Sequence, residues 1–319
     1  MSISIDTIHI LLPEQKFLTL DERKGFVDLK TGDLKYSEGY SRNIKVREFN
    51  GYTKIECSLP RILNGDNISS LNYHEILRAL ETVSEHFGIC IRGGIIKRID
   101  LFSDIQCDYE AKNYFRYLGD SKNYKKRFPV AETSLYYKNA ISKEMYFYDK
   151  IKEMKSREQY IPKEFINKNI TRLEVRYKTF LKNILKRNLT VSDLYNPESF
   201  LKLTTCFIND YRSIHKENKA ILDFSKASSK KELLNQLAIA GIESLGGTQE
   251  VLEMIDASRT LTLDLVRPEY FSRRKAEIKE IANSPYFVRK VQLIEELDSK
   301  IEIAYQNTIN HVTNNKSII

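Results

Sequence analysis

Three short segments of this 319-residue chain place chemically capable side chains two positions apart: Arg98-Ile99-Asp100, Tyr146-Phe147-Tyr148-Asp149-Lys150 and Arg172-Leu173-Glu174-Val175-Arg176. Each lies in a run with strand composition, and side chains two apart on a strand share one face. Tyr146, Tyr148 and Lys150 are therefore expected on one face of their strand, and Arg172, Glu174 and Arg176 on one face of theirs. A tyrosine, carboxylates and cations on neighbouring strands suffice to cut a phosphodiester with a tyrosine nucleophile. A phenol ordinarily ionises near pH 10, so Tyr148 as nucleophile needs a nearby cation or metal ion to favour the phenolate. Lys150, or an ion held by Asp100 and Glu174, would supply that field.

Spacing sorts the carboxylates. Asp100 and Asp104 lie about 13 Å apart on a straight strand, too far to share one ion with oxygen ligands near 2.1 Å. Asp100 and Glu174 can share one if their strands pair, since paired strands lie about 4.8 Å apart. They form the expected metal pair, with Asp104 in reserve. The plainer reading is a cross-strand salt-bridge ladder of Arg98, Asp100, Arg172 and Glu174. Tyr146 reads as a stacking or packing residue before a second nucleophile. Lys122, Lys125, Lys126 and Arg127 surround Tyr124, a mixture suited to single-stranded DNA, where phosphates meet cations and bases stack on rings. An ordinary solvated loop has the same composition.

These residues need a sheet to hold them. Residues 3–12 read as a strand ending at Pro13, and 26–36 as a hairpin turning at Thr31-Gly32. A second hairpin turns at Asn50-Gly51, where Asn-Gly suits a type I′ turn. Apolar residues at helical spacing mark a helix over 72–87 that stops at Gly88. Strands are expected over 95–103, 130–138, 143–150 and 170–178, with a helix over 108–118. Asn196-Pro197-Glu198 carries the signals of a helix start. After Leu222 helical periodicity takes over to about residue 311, broken at Gly246-Gly247, Pro268 and Pro285, with a helix-turn-helix suggested around Ala240-Gly241. The expected fold is α+β: a mostly antiparallel sheet domain with flanking helices (1–222), then an all-helical C-terminal domain (223–319).

Composition narrows the class. A net charge of +8 and a pI of about 9.0 favour a polyanionic partner. Hydrophobic residues at 41% exclude wholesale disorder, and 19 tyrosines with no tryptophan supply rings for stacking or nucleophilic chemistry. Four separated cysteines argue against a disulfide framework or zinc site and fit a reducing cytoplasm. Neither a signal peptide nor a membrane span is expected.

In order and spacing, Arg98-Ile-Asp100, Tyr148-x-Lys150 and Arg172-Leu-Glu174-Val-Arg176 resemble the filamentous-phage gene II family of rolling-circle replication initiators, over about residues 44–180. The stretch from Lys54 to Asn67, followed by the 72–87 helix, is also similar. More loosely, the motifs resemble those of plasmid initiators. The resemblance implies an origin-specific DNA nickase-ligase in a bacterial cytoplasm, with Tyr148 joining covalently to the 5′ phosphate and Mg²⁺ or Mn²⁺ as the ion. It further implies single-stranded or supercoiled origin DNA, a host polymerase and a helicase as partners, with no membrane and a homodimer left open. Arg98 and Asp100 match the family's Arg-Ile-Asp, and Arg172, Glu174 and Arg176 its last motif. Asp104 has no consistent counterpart, and the 151–169 connection is shorter than in the phage proteins. The chain has no His-x-His pair of the kind that holds the metal in better-known initiators. Two rival readings remain: a metal-dependent hydrolytic nuclease, and a non-catalytic DNA-binding protein using the basic strands as a platform.

Overall fold

The computed structural model describes the chain apart from residues 131–132, 217, 220–226, 228, 262–266, 284–288 and 315–319. Period-two alternation builds strands where it was expected. β1 (Ser4–Leu12) buries Ile8, Ile10 and Leu12, while His9 and Leu11 between them are only partly buried. β2 (Glu22–Val27) and β3 (Leu34–Ser41) form the first hairpin; β4 (Ile44–Phe49) and β5 (Tyr52–Ser58) form the second. Gly51 takes a φ of 87°, but Asn50 stays out of the left-handed region. The Asn-Gly turn is therefore not type I′, which needs positive φ at both residues.

The remaining strands among the described residues are β6 (Ile95–Cys107), β7 (Leu118–Ser121), β8 (Lys126–Val130), β9 (Ser134–Asn139), β10 (Lys143–Asp149), β11 (Asn169–Tyr177), β12 (Ile214–Lys216) and a short pair, β13 (Asn218–Lys219) with β14 (Arg289–Lys290). Ten of these strands form one antiparallel sheet in the order β2-β3-β4-β5-β1-β6-β11-β10-β9-β8, and β7 pairs separately with β12. Two expected elements change. The strand expected over 130–138 is two strands, β8 and β9. The helix expected over 108–118 shrinks to α3 (Lys112–Phe115), because Leu118 opens β7 and pairs there with Lys216.

Eleven α-helices are present among the described residues. After α1 (Leu59–Asn64), α2 (Tyr73–Phe87) begins with a capping box, Asn72 and Glu75 satisfying each other's backbone N–H. It ends at Gly88, whose φ of 62° suits a residue without Cβ. Next come α4 (Lys150–Ser156), α5 (Leu181–Leu185), α6 (Val191–Leu194) and α7 (Pro197–Arg212), the last capped by Asn196 with Pro197 in its first turn. Four helices follow: α8 (Lys230–Ser244), α9 (Thr248–Leu261), α10 (Pro268–Ala282) and α11 (Gln292–Thr313). α8 runs straight through Ala240-Gly241, so the helix-turn-helix break expected there is absent; the chain turns instead at Gly246-Gly247, with φ of 101° and 103°.

The boundary expected near 222 and the break expected at Pro285 lie outside the described residues, but α11 returns to the sheet. Ile294, Leu297 and Ile301 join the core that contains Ile3 and Leu101. The Ile3 N–H donates to Thr308 Oγ1 at 2.8 Å, and the Tyr114 and Tyr211 hydroxyls donate to Glu296 and Asp298. The segment 223–319 is therefore not wholly separate from the sheet. No helix among the described residues is long and apolar enough to cross a membrane.

The sheet has two unlike faces. On one, Ile99, Leu101, Leu173, Val175, Met145 and Phe147 are buried in the core with residues of α2, α7 and α11. Each such burial contributes about 1.5–3 kcal/mol. A one-residue slip would exchange this layer for the charged one, so the core fixes the register. The opposite face carries the residues of chemical interest.

Candidate active site

Register determines which side chains meet. β6 against β11 sets Asp104 opposite Arg172, Phe102 opposite Glu174 and Asp100 opposite Arg176. β11 against β10 sets Arg172 opposite Tyr148 and Glu174 opposite Tyr146. The expected pairing of the Asp100 and Glu174 strands is thus present, with the two carboxylates on a diagonal. Of these, Asp100, Tyr146, Tyr148, Glu174 and Arg176 line a cavity of about 580 Å³ on the polar face. α4 closes one end, where Ile151 and Met154 pack with Ile68 and Ile170.

Lys150 enters this cavity by a route other than the expected one. β10 stops at Asp149, whose Oδ1 accepts the Lys152 N–H at 2.9 Å and caps α4. Lys150 is thus the first residue of a helix and does not share a strand face with Tyr148. Its ammonium is buried and lies 2.9 Å from Glu153. Burial, with Arg172 alongside, pulls it below the ordinary lysine value.

Tyr148 donates its hydroxyl hydrogen to Glu174 Oε2 at 2.8 Å. Burial and the Glu174 charge hold the phenol well above its usual pKa. Burial, then the nearby Asp100 and Asp6 carboxylates, push Glu174 up to about 6. The partner of Tyr148 is therefore a weakly acidic carboxyl group, poised near neutrality to accept a proton, where the sequence suggested a cation.

A salt-bridge ladder is also present, but with Arg176 where Arg172 was expected. Arg98 grips Asp100 through Nε at 2.8 Å and Nη2 at 2.5 Å. Arg176 reaches Asp100 through Nε at 3.2 Å and Glu174 Oε1 through Nη2 at 3.3 Å, bridging the two carboxylates. Arg98 and Arg176 keep 23% and 24% of their side chains exposed, whereas Arg172 keeps none. Arg172 lies 4.0 Å over the Phe102 ring and donates to both oxygens of Asp104 and to the Asn67 carbonyl. Asp104 is thereby committed to a buried arginine, which removes it as a reserve metal ligand.

Asp6 was not expected here. Between Ile5↔Leu101 and Ile8↔Ile99 the β1–β6 ladder slips, so Asp6 and Thr7 together oppose Asp100. This bulge turns both into the cavity. Asp6 accepts from Ser58 Oγ at 2.8 Å and lies 3.9 Å from Arg172 Nη1, a buried nitrogen with no hydrogen-bond partner. The one signal in the sequence was the polar pair Asp6-Thr7 interrupting an apolar strand. Glu144 was also missed: it accepts from the Tyr146 hydroxyl at 2.9 Å and lies 3.1 Å from Lys178 Nζ.

Donor chemistry bears on the metal. Among the described residues, no group of three or more His, Cys, Asp and Glu side chains is arranged to hold an ion. In the resting arrangement all four oxygens of Asp100 and Glu174 already accept from Arg98, Arg176 or Tyr148. Only with the arginines drawn onto a substrate phosphate would the pair, with Asp6 nearby, suit Mg²⁺ in a shell completed by phosphate and water.

Tyr146 behaves as a stacking residue. Its ring stacks on Tyr136 at 5.6 Å, Tyr136 stacks on Phe128 at 4.7 Å, and Arg176 sits 5.1 Å from the Tyr146 ring centre. The basic segment 122–127 divides. Lys122, Lys125 and Lys126 are exposed. Tyr124 is buried with its hydroxyl on Asp210, and Arg127 is tied to Glu253 and the Leu118 carbonyl. Neither is free to meet a base or a phosphate, so the expected stacking loop is corrected to three exposed lysines. No protein-family model matches the chain, and no curated protein matches it.

Proposed function

We propose that this protein is a rolling-circle replication initiator of the bacterial cytoplasm, nicking and rejoining single-stranded origin DNA through a covalent 5′-phosphotyrosine at Tyr148. The observation that carries the reading is the Tyr148–Glu174 hydrogen bond in the wall of a cavity that two part-exposed arginines also line. Tyr148 Oη attacks the scissile phosphorus while its proton passes to Glu174. The bond to the 3′ oxygen breaks, and that oxygen leaves with the electron pair and takes a proton from water. Arg98 and Arg176 stabilise charge on the phosphoryl oxygens. Closing reverses the step: a 3′-OH attacks the phosphotyrosine, and the energy of the original diester is conserved.

Mg²⁺ or Mn²⁺, held through Asp100 and Glu174, would polarise the phosphate. Lys122, Lys125 and Lys126 offer backbone contacts beyond the cavity. The closed ladder Arg98–Asp100–Arg176–Glu174 supports a second reading, a DNA-binding platform without chemistry. One experiment separates them: incubation with end-labelled single-stranded origin DNA and Mn²⁺, then a denaturing gel. A labelled band of protein size that disappears in Tyr148→Phe supports the nickase. Cleavage without an adduct favours a hydrolytic nuclease, and binding without cleavage favours the platform.

A further inference from the structure

On the same face of the sheet, beyond Arg98, lies a second cavity of about 350 Å³. His9 and Arg98 are direct cross-strand partners; Arg98 lines the first cavity and His9 the second. The walls of the second carry Lys45, Arg47, Lys54 and Lys97 against Glu56. Glu38 is shared between Lys45 and Arg47, so four cations face two carboxylates. His9 adds no charge at neutral pH, because burial lowers it to about 4; its Nε2 is buried without a hydrogen bond.

Lys97 lines this cavity because of a second bulge. The ladder passes from His9↔Arg98 to Ile10↔Ile96 and leaves Lys97 unpaired. Both irregularities of the β1–β6 ladder thus place polar side chains in cavities on this face, Asp6 and Thr7 in the first and Lys97 in the second. Aromatic rings flank the second. Phe49 and Tyr52 stack at 4.5 Å, and Lys54 Nζ lies 4.9 Å and 5.5 Å from their ring centres.

We infer that this second cavity holds the backbone of the single-stranded DNA flanking the scissile phosphate, its phosphates on Lys54 and Lys97 and a base against the Phe49–Tyr52 stack. The inference rests on the nickase reading for the strand's identity. Cations beside rings on an open sheet face suit unpaired bases, whereas duplex DNA keeps its base faces stacked on one another. From β10, which carries Tyr148, to β5, which carries Lys54, there are four strand spacings, about 19 Å. The strand would cross the sheet over that distance, so the contact lies a few nucleotides to one side of the nick.

The test is equilibrium binding of fluorescent single-stranded origin oligonucleotides, lengthened stepwise on either side of the nick, to Tyr148→Phe protein with or without Lys54→Gln and Lys97→Gln. Tyr148→Phe prevents turnover. The parent should gain affinity on lengthening past a few nucleotides on one side only, and the lysine variant should lack that gain. The slope of log affinity against log salt should fall by about 0.7 for each lysine removed. Equal length dependence in both proteins overturns the subsite, as does equal loss on the shortest oligonucleotide or equal preference for duplex. Unchanged affinity in the lysine variant overturns the subsite but leaves the nickase reading intact if wild-type protein still forms the adduct. Failure of wild-type protein to bind any oligonucleotide or form an adduct overturns both.

Discussion

Glu174 accepts the hydroxyl hydrogen of Tyr148 at 2.8 Å, and it does so as a carboxyl group whose pKa stands at about 6. The two shifts share burial as their first cause but differ in the second. The phenol is hard to ionise because it is buried beside a carboxylate, and the carboxylate is a better base than usual because it is buried near Asp100 and Asp6. A proton on Tyr148 therefore has an acceptor already in contact. On the proposed reading this arrangement would activate the phenol at neutral pH without a phenolate in the resting protein.

Glu174→Gln keeps the shape and a hydrogen bond to Tyr148 but removes the base and, on the proposed reading, one of the two carboxylates that would hold the metal ion. Adduct formation on single-stranded origin DNA should fall by roughly 10²–10⁴-fold, the usual range for general-base catalysis. Binding of the same DNA should change little. A variant that formed adduct at the wild-type rate would show that Glu174 is not the acceptor.

The same pair sets a pH profile. Glu174 accepts a proton only when ionised, so the single-turnover rate should rise with pH as Glu174 ionises, near 6 without a metal ion on the carboxylate and lower with one, and then level. Glu174→Gln should lack that limb. A limb that survived in the variant would contradict the assignment.

Stability should move in the opposite direction. The folded-state pKa of Glu174 is raised from an ordinary 4.5 to about 6. Across that window the folded protein holds a proton that the unfolded chain has released, so stability falls as pH rises. The shift corresponds to ~2 kcal/mol. Urea denaturation should find Glu174→Gln more stable than wild type by up to that amount at pH 7, with the gap closing below about pH 4.5. A gap independent of pH would assign the gain to packing instead.

Part of this site was legible in the sequence, and the limit is physical. Spacing of two placed Arg172, Glu174 and Arg176 on one face, because a strand with a buried opposite face has no other register available. It failed at Lys150 because Asp149 has two roles, last residue of a strand and N-cap of a helix, and spacing does not say where one period gives way to another. Asp6 was hidden because a bulge is a property of two strands together. The burial of Tyr124 and Arg127 was hidden for a related reason: their partners, Asp210 and Glu253, lie 86 and 126 positions away in the chain.

Asp104 separates structure from chemistry in this cluster. It neutralises Arg172, whose side chain is wholly buried and still has one nitrogen without a hydrogen bond. Removing one partner of a buried pair leaves an uncompensated charge, at a cost of about 3–5 kcal/mol. Asp104→Ala should therefore lower the urea midpoint sharply with little change in m-value. Asp100→Asn should be milder, because Arg98 and Arg176 remain partly in water. The metal titration should run the other way. Asp100→Asn should raise the Mn²⁺ concentration needed for adduct formation, and Asp104→Asn, measured where it is folded, should not. A raised Mn²⁺ requirement in Asp104→Asn would return Asp104 to the metal site and break the division drawn between the two aspartates.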